Sequence, residues 1–239
     1  MQAIHLESVV VEMAQKGVAK VIFSNPPTNS MPIKLLKELA STIETLGERS
    51  DLQIIILQSG GERTFCSGAD FDQLLQIENE KSGKIFFNGF AKIINSIRKC
   101  PKIIIGRVQG KAVGGGVGLA AATDYCVATK FASIKLSELN IGIIPAVIEP
   151  AVERKIGLSA FSQMALNPND FFSADWAKEE GLFMEVFENI EVMDEAVENL
   201  ANRLKTYNPE ALLELKKILW KNTEQWDELL AERDRKSVV

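Results

Sequence analysis

The chain has a single histidine, His5, and only three cysteines in 239 residues. That one imidazole precedes the first strands and is poorly placed for a catalytic role, and Cys66, Cys100 and Cys126 are odd in number with no Cys-x-x-Cys spacing. They read as the reduced thiols of a cytoplasmic protein. Ser67 and Cys66 lack a histidine base in their vicinity, which disfavours an acyl-enzyme mechanism. No stretch of 18 uninterrupted apolar residues occurs, and Met1 to Glu12 has no basic start followed by an apolar run, so neither a membrane span nor a signal peptide is read. Positive charge is scarce as well. With 27 Lys and Arg against 32 Asp and Glu, the net charge of −5 argues against a nucleic-acid footprint, although helix N-termini can still hold one phosphorylated ligand.

What is present is an ordinary globular composition, 46% apolar and 25% charged, long enough to bury a full core. Val9 to Met13 and Val18 to Phe23 flank Gln15-Lys16-Gly17 and read as a hairpin. Asn25-Pro26-Pro27-Thr28-Asn29 must be loop, and Pro32 then opens a helix with the stripe Leu35, Leu36, Leu39, Ile43, Leu46. Gln53 to Gln58 is a continuous apolar run of strand length, expected to be buried on both faces. A helix from about Ser82 to Lys99, a strand from Lys102 to Val108, a glycine-rich turn, an Ala-rich helix and a strand from Tyr125 to Ala128 continue the alternation. Strands separated by helices define an α/β protein with a largely parallel sheet. From about Ile148 onward the pattern is almost entirely helical.

Two turns stand out chemically. Thr64-Phe65-Cys66-Ser67-Gly68-Ala69-Asp70 follows a buried strand and opens a helix; Gly110 to Gly118, with Gly114-Gly115-Gly116, does the same. Two such turns can aim two backbone N–H groups at one developing oxyanion. Each taken alone reads more simply as a tight strand-to-helix connection. A dinucleotide fingerprint is excluded because G-x-G-x-x-G spacing and its acidic residue are missing, and a P-loop because no Gly-Lys-Ser/Thr follows. No His, Cys or carboxylate cluster has metal-ligand spacing.

Taken as a pair, Phe65 to Asp70 and Val113 to Gly116 resemble the two oxyanion-hole segments of the enoyl-CoA hydratase/isomerase family. Asn25 to Met31 resembles its early CoA-contacting loop, Ser137-Glu138-Leu139 with Ile141 to Pro145 its catalytic-glutamate segment, and Ser173 to Val186 its later helix-turn-strand element. The resemblance implies a crotonase-like ββα spiral over residues 1–185, with a helical oligomerisation region over 186–239 and assembly as a homotrimer or hexamer. It implies Ala69 and Gly115 as backbone donors to a thioester oxygen and Glu138 as the catalytic acid and base. Pro27, Asn29, Ser67, Gly68, Gly114, Gly118 and Pro145 fall at substrate-binding positions. No separate cofactor is expected, since CoA would arrive as part of the substrate; an acyl-carrier-protein thioester is the other carrier.

One departure bears on mechanism. Family hydratases use two glutamates, and the first of these falls on Gly118. A single carboxylate can still move a proton between two carbons of an enolate, as family isomerases of the Δ3,Δ2 type do. Glu149 is a candidate second acid, with structural use at a helix start as its other reading. Asp124 matches a structural aspartate, Asp70 a helix cap, and Lys34, Arg63 and Lys111 are candidate CoA contacts. Alternatives are a hydratase or dehydratase, including the polyketide β-branching type, a decarboxylase, and a non-catalytic thioester-binding scaffold.

Overall fold

The computed structural model describes residues 8–76 and 80–236, with side chains left out at 80–87 and 234–236. His5 lies outside the described residues. Ser8–Gln15 (β1) and Gly17–Ser24 (β2) form the expected antiparallel hairpin, turned at Gly17 with φ +84°. After the loop, Ile33–Glu48 (α1) starts directly behind Pro32, whose fixed φ suits a helix entry. Leu52–Ser59 (β3) follows, and its alternation sends side chains to opposite faces of the sheet. Ile55 and Leu57 join Leu35, Leu36, Leu39 and Ile43 of α1 in the larger core; Ile54 and Ile56 point to a second, smaller one.

Thr64–Cys66 (β4) leads to the short helix Phe71–Leu75 (α2) and the long helix Glu80–Lys99 (α3). Ile103–Val108 (β5) and Lys111–Val113 (β6) precede the all-buried Gly115–Ala122 (α4). Tyr125–Thr129 (β7), Ser133–Lys135 (β8) and one 3₁₀ turn at Glu138–Ile141 come next. Then follow Glu149–Leu166 (α5), Phe172–Ser173 (β9), Ala174–Glu179 (α6), Glu185–Phe187 (β10), Ile190–Leu204 (α7), Pro209–Leu219 (α8) and Trp226–Lys236 (α9).

Six strands form the main sheet in the order β1-β2-β3-β5-β7-β10, parallel from β2 onward. A second sheet, β4-β6-β8-β9, stands on the ends of these strands and holds the two glycine turns side by side. The region after Ile148 is less uniformly helical than its sequence implies: two short strands interrupt it, and α5 itself breaks at Gly157, which adopts φ +73°. The boundary expected after residue 185 falls at the first residue of β10, an edge strand of the main sheet. Beyond it α7 covers the sheet's second face with Met193, Val197 and Ala201, tied to β5 by the ion pair Asp194–Arg107 at 2.7 Å.

The tether of α8 is buried. Lys216 Nζ donates to Ile97 O, Lys102 O and Asp124 Oδ2 at 3.0, 2.8 and 2.9 Å. Asp124 in turn accepts from Ile104 N–H at 2.7 Å and Trp220 Nε1–H at 2.6 Å, so the expected structural aspartate is fully bonded. All three cysteines are buried, and burial pushes the Cys66 and Cys126 thiols up to about 12. Among the described residues no helix is long and apolar enough to cross a membrane.

Candidate active site

The first turn is shaped by Gly68, whose φ of +86° is open to glycine and strained for other residues. Beyond it Asp70 caps α2, its Oδ1 accepting from Gln73 N–H at 3.1 Å and its Oδ2 from Ser30 Oγ at 3.0 Å. Met31 bridges to Ala69 through Gly68 O and Asp70 N–H, which leaves the Ala69 N–H out of the pairing. In the second turn Gly114 takes φ +52°, ψ −117°, and Gly115 begins α4 with an N–H that no carbonyl of its own helix can reach.

The two turns touch. A methyl group on Gly68 would lie 2.8 Å from Val113 O and 3.3 Å from Gly115 N, and Ala69 and Gly115 line one cavity of about 550 Å³. The two turns are thus packed against each other, with the residues expected as backbone donors on one cavity wall. Gly68→Ala should wedge these loops apart and reduce turnover by ~100 to 1000-fold, the loss typical of removing one such donor. Steady-state kinetics beside a thermal melt checks this; full activity in the folded variant would refute it.

Glu138 opens the 3₁₀ turn, which ends at Gly142 with φ +72°. Its carboxyl lies over the second turn, because a methyl on Gly114 would come within 2.8 Å of Oε1. Oε2 is buried without a hydrogen-bond partner. Loss of hydration pushes the carboxyl from its ordinary 4.5 up to about 7, against the smaller downward pull of the Glu138 and Ser137 backbone N–H groups. Of the three described carboxyls lining the cavity, Asp70 is committed to Ser30 and the α2 cap and Asp72 is exposed. Glu138 alone keeps a buried, unsatisfied oxygen there. The walls are apolar: Leu74, Phe90, Ile143, Val147 and Ile148 among them.

Of the substrate-binding positions, Ser67, Gly68, Gly114 and Pro145 line this cavity. Pro27 is exposed and outside it. Asn29 is 3% exposed and is used internally, its Nδ2 donating to Gly60 O at 2.7 Å and Thr64 O at 2.8 Å. The neighbours Thr28 and Ser30 line the cavity instead. Their signal lay in the same Asn25 to Met31 segment, but loop sequence does not say which residues face inward. Gly118 is covered by Ile148, whose Cγ2 would stand 2.5 Å from a methyl on residue 118. Glu149 is not among the lining residues; it heads α5 and pairs with Arg233 of α9. Arg63 and Lys111 line a separate groove, with the Lys111 Nζ 5.1 Å from the Phe171 ring centre, and Lys34 is exposed on α1.

Two packed turns lining one cavity beside the Glu138 carboxyl, on a framework of parallel strands and helices, are the arrangement of the crotonase fold. The enoyl-CoA hydratase from Bacillus halodurans superposes with a TM-score of 0.88 at 22% identity, over 96% of this chain and 93% of that one. A crotonase-type structure from Legionella pneumophila, named a putative enoyl-CoA hydratase/isomerase, gives 0.84 at 27% identity, covering 92% and 84%. A family model described as enoyl-CoA hydratase/isomerase matches residues 13–237. The chain belongs to the enoyl-CoA hydratase/isomerase family. Among its relatives, the Bacillus subtilis protein named "Probable enoyl-CoA hydratase" is 28% identical over 207 residues, 86% of this chain and 79% of that protein. Mouse mitochondrial Delta(3,5)-Delta(2,4)-dienoyl-CoA isomerase is 27% identical over 227 residues, and the chain spans 66% of its length.

Proposed function

We propose that this enzyme binds an acyl-CoA thioester and shifts its double bond by moving one proton through Glu138. The reading is carried by one observation: of the described carboxyls lining the cavity that Ala69 and Gly115 share, Glu138 alone keeps a buried oxygen, Oε2, without a hydrogen-bond partner. In its ionised form Glu138 takes a proton from C2 of a 3-enoyl thioester. The C2–H electron pair moves into the conjugated system, and the negative charge gathers on the thioester oxygen facing the Ala69 and Gly115 N–H groups. The same carboxyl then returns its proton to C4, leaving the double bond between C2 and C3 and the enzyme unchanged. A carboxyl held near 7 suits both halves of this exchange at neutral pH.

Apolar walls and, among the described lining residues, the absence of any Lys or Arg favour an uncharged acyl chain over one bearing a second carboxylate. The family resemblance implies a trimer or hexamer, and the exposed Leu215, Ile218 and Leu219 of α8 offer an apolar face for such assembly.

The test is incubation in deuterated water with 3-enoyl-CoA, 2-enoyl-CoA and 3-methylglutaconyl-CoA, followed by mass spectrometry. Deuterium incorporation with conversion of the 3-enoyl to the 2-enoyl thioester is expected. Products 18 Da heavier, or loss of CO2, would replace this reading by hydration or decarboxylation. Binding without any α-proton exchange would leave only a scaffold.

A further inference from the structure

Helix α4 carries the donor Gly115 at its first position, and Gly114 just before it and Gly118 within it report what stands over this face. Gly118 lies one turn beyond Gly114, its N–H bonded to Gly114 O at 3.3 Å. Over Gly114 stands the Glu138 carboxyl, 2.8 Å from where a methyl would be; over Gly118 stands Ile148, with Cγ2 at 2.5 Å and Cβ at 2.8 Å from the corresponding point. Both Glu138 and Ile148 line the cavity. The wall next along α4 from the proton carrier is therefore a branched hydrocarbon.

That wall matters for chemistry. Adding water across a conjugated thioester needs a water molecule held at the carbon beyond C2 and a group to take its proton. A water confined in a buried site needs two to four polar partners. Here the neighbouring wall is Val147 and Ile148, each 4% exposed, and Gly118 contributes no side chain. Nor can an acid be placed on residue 118 without moving Ile148, since the obstruction lies at its Cβ as well as at its tip. The neighbouring Glu149 pairs with Arg233 of α9 and is not among the residues lining the cavity.

We propose that Ile148, packed against Gly118, is the residue that fixes the reaction outcome, committing the site to proton transfer within the acyl chain and against the addition of water. This rests on the single-carboxylate reading above.

The experiment compares the parent, Ile148→Ala, Gly118→Glu and the double variant Gly118→Glu/Ile148→Ala. Each is measured for isomerisation of 3-enoyl-CoA, α-proton exchange in deuterated water, and gain of 18 Da on 2-enoyl-CoA. The parent should isomerise and exchange with little hydration. Opening the wall in Ile148→Ala should raise the hydration-to-isomerisation ratio. The double variant should raise it further, by ~100-fold or more, the lower range for a positioned acid–base group. Gly118→Glu alone should gain less than the double variant, because Ile148 still occupies the space. If the double variant fails to fold, the ratio in Ile148→Ala decides the matter.

A parent that exchanges and isomerises, with an unchanged ratio in a folded Ile148→Ala, would overturn the role of Ile148 alone. A parent that already hydrates as fast as it isomerises would overturn it too. A parent that neither exchanges nor isomerises would overturn the single-carboxylate reading and this inference with it.

Discussion

For the proposed double-bond shift, Glu138→Gln should lower turnover by ~100 to 10,000-fold, with thioester binding largely retained, because the amide keeps the carboxyl's shape and cannot carry a proton. The pH profile should identify the same group. Proton abstraction needs the carboxylate, and burial holds this carboxyl near 7 instead of its ordinary 4.5. The parent's kcat/KM on a 3-enoyl thioester should therefore fall about tenfold per pH unit below about 7 and level off above it. Stability runs the other way. The folded protein holds the Glu138 proton more tightly than the unfolded chain, so this group stabilises the fold below 4.5 and that contribution is lost as pH rises through about 7. Above pH 7 Glu138→Gln should consequently resist denaturant better than the parent. A variant both inactive and stabilised is what a carboxyl placed for chemistry produces; one that is active, or less stable at pH 8, would refute the assignment.

The largest effect on stability should come from the tether of α8. Lys216 and Asp124 have side chains only 4% and 1% exposed, and each is satisfied by further hydrogen bonds. Lys216→Met would leave the Asp124 charge buried without its cation, which typically costs about 3 to 5 kcal/mol. Urea unfolding measures this. Because the penalty lies in the orphaned charge, adding Asp124→Asn to Lys216→Met should recover part of it. Equal midpoints for parent and Lys216→Met would show that α8 is held by apolar packing instead.

Much of the α/β framework was readable from periodicity. The stripe of α1 and the unbroken apolar run of β3 announce themselves because each spans enough residues for a period to show. The second sheet does not, since β4, β6 and β8 have only three residues each, too few to distinguish from loop. Yet this sheet is what brings the two glycine turns together. The break in α5 rests on one glycine in an otherwise helical segment, a signal that helices often tolerate.

The site shows a similar division. Glycines at 68 and 114 and the acid at 138 could be picked out because turn geometry and resemblance both fall on them. The way Ile148 covers Gly118 could not, because it is a contact between residues 30 apart that no local pattern encodes. Asn29 was expected to touch substrate, but its side-chain amide is spent on Gly60 and Thr64; residue type alone does not tell an inward polar group from one that braces a loop.

The burial of every native cysteine has a practical corollary. Thiols that are both enclosed and held protonated react slowly with maleimides, so for selective labelling the unaltered protein already behaves as a cysteine-free background. A cysteine introduced at exposed Leu139, next to Glu138, could carry a fluorophore reporting on occupancy of the cavity.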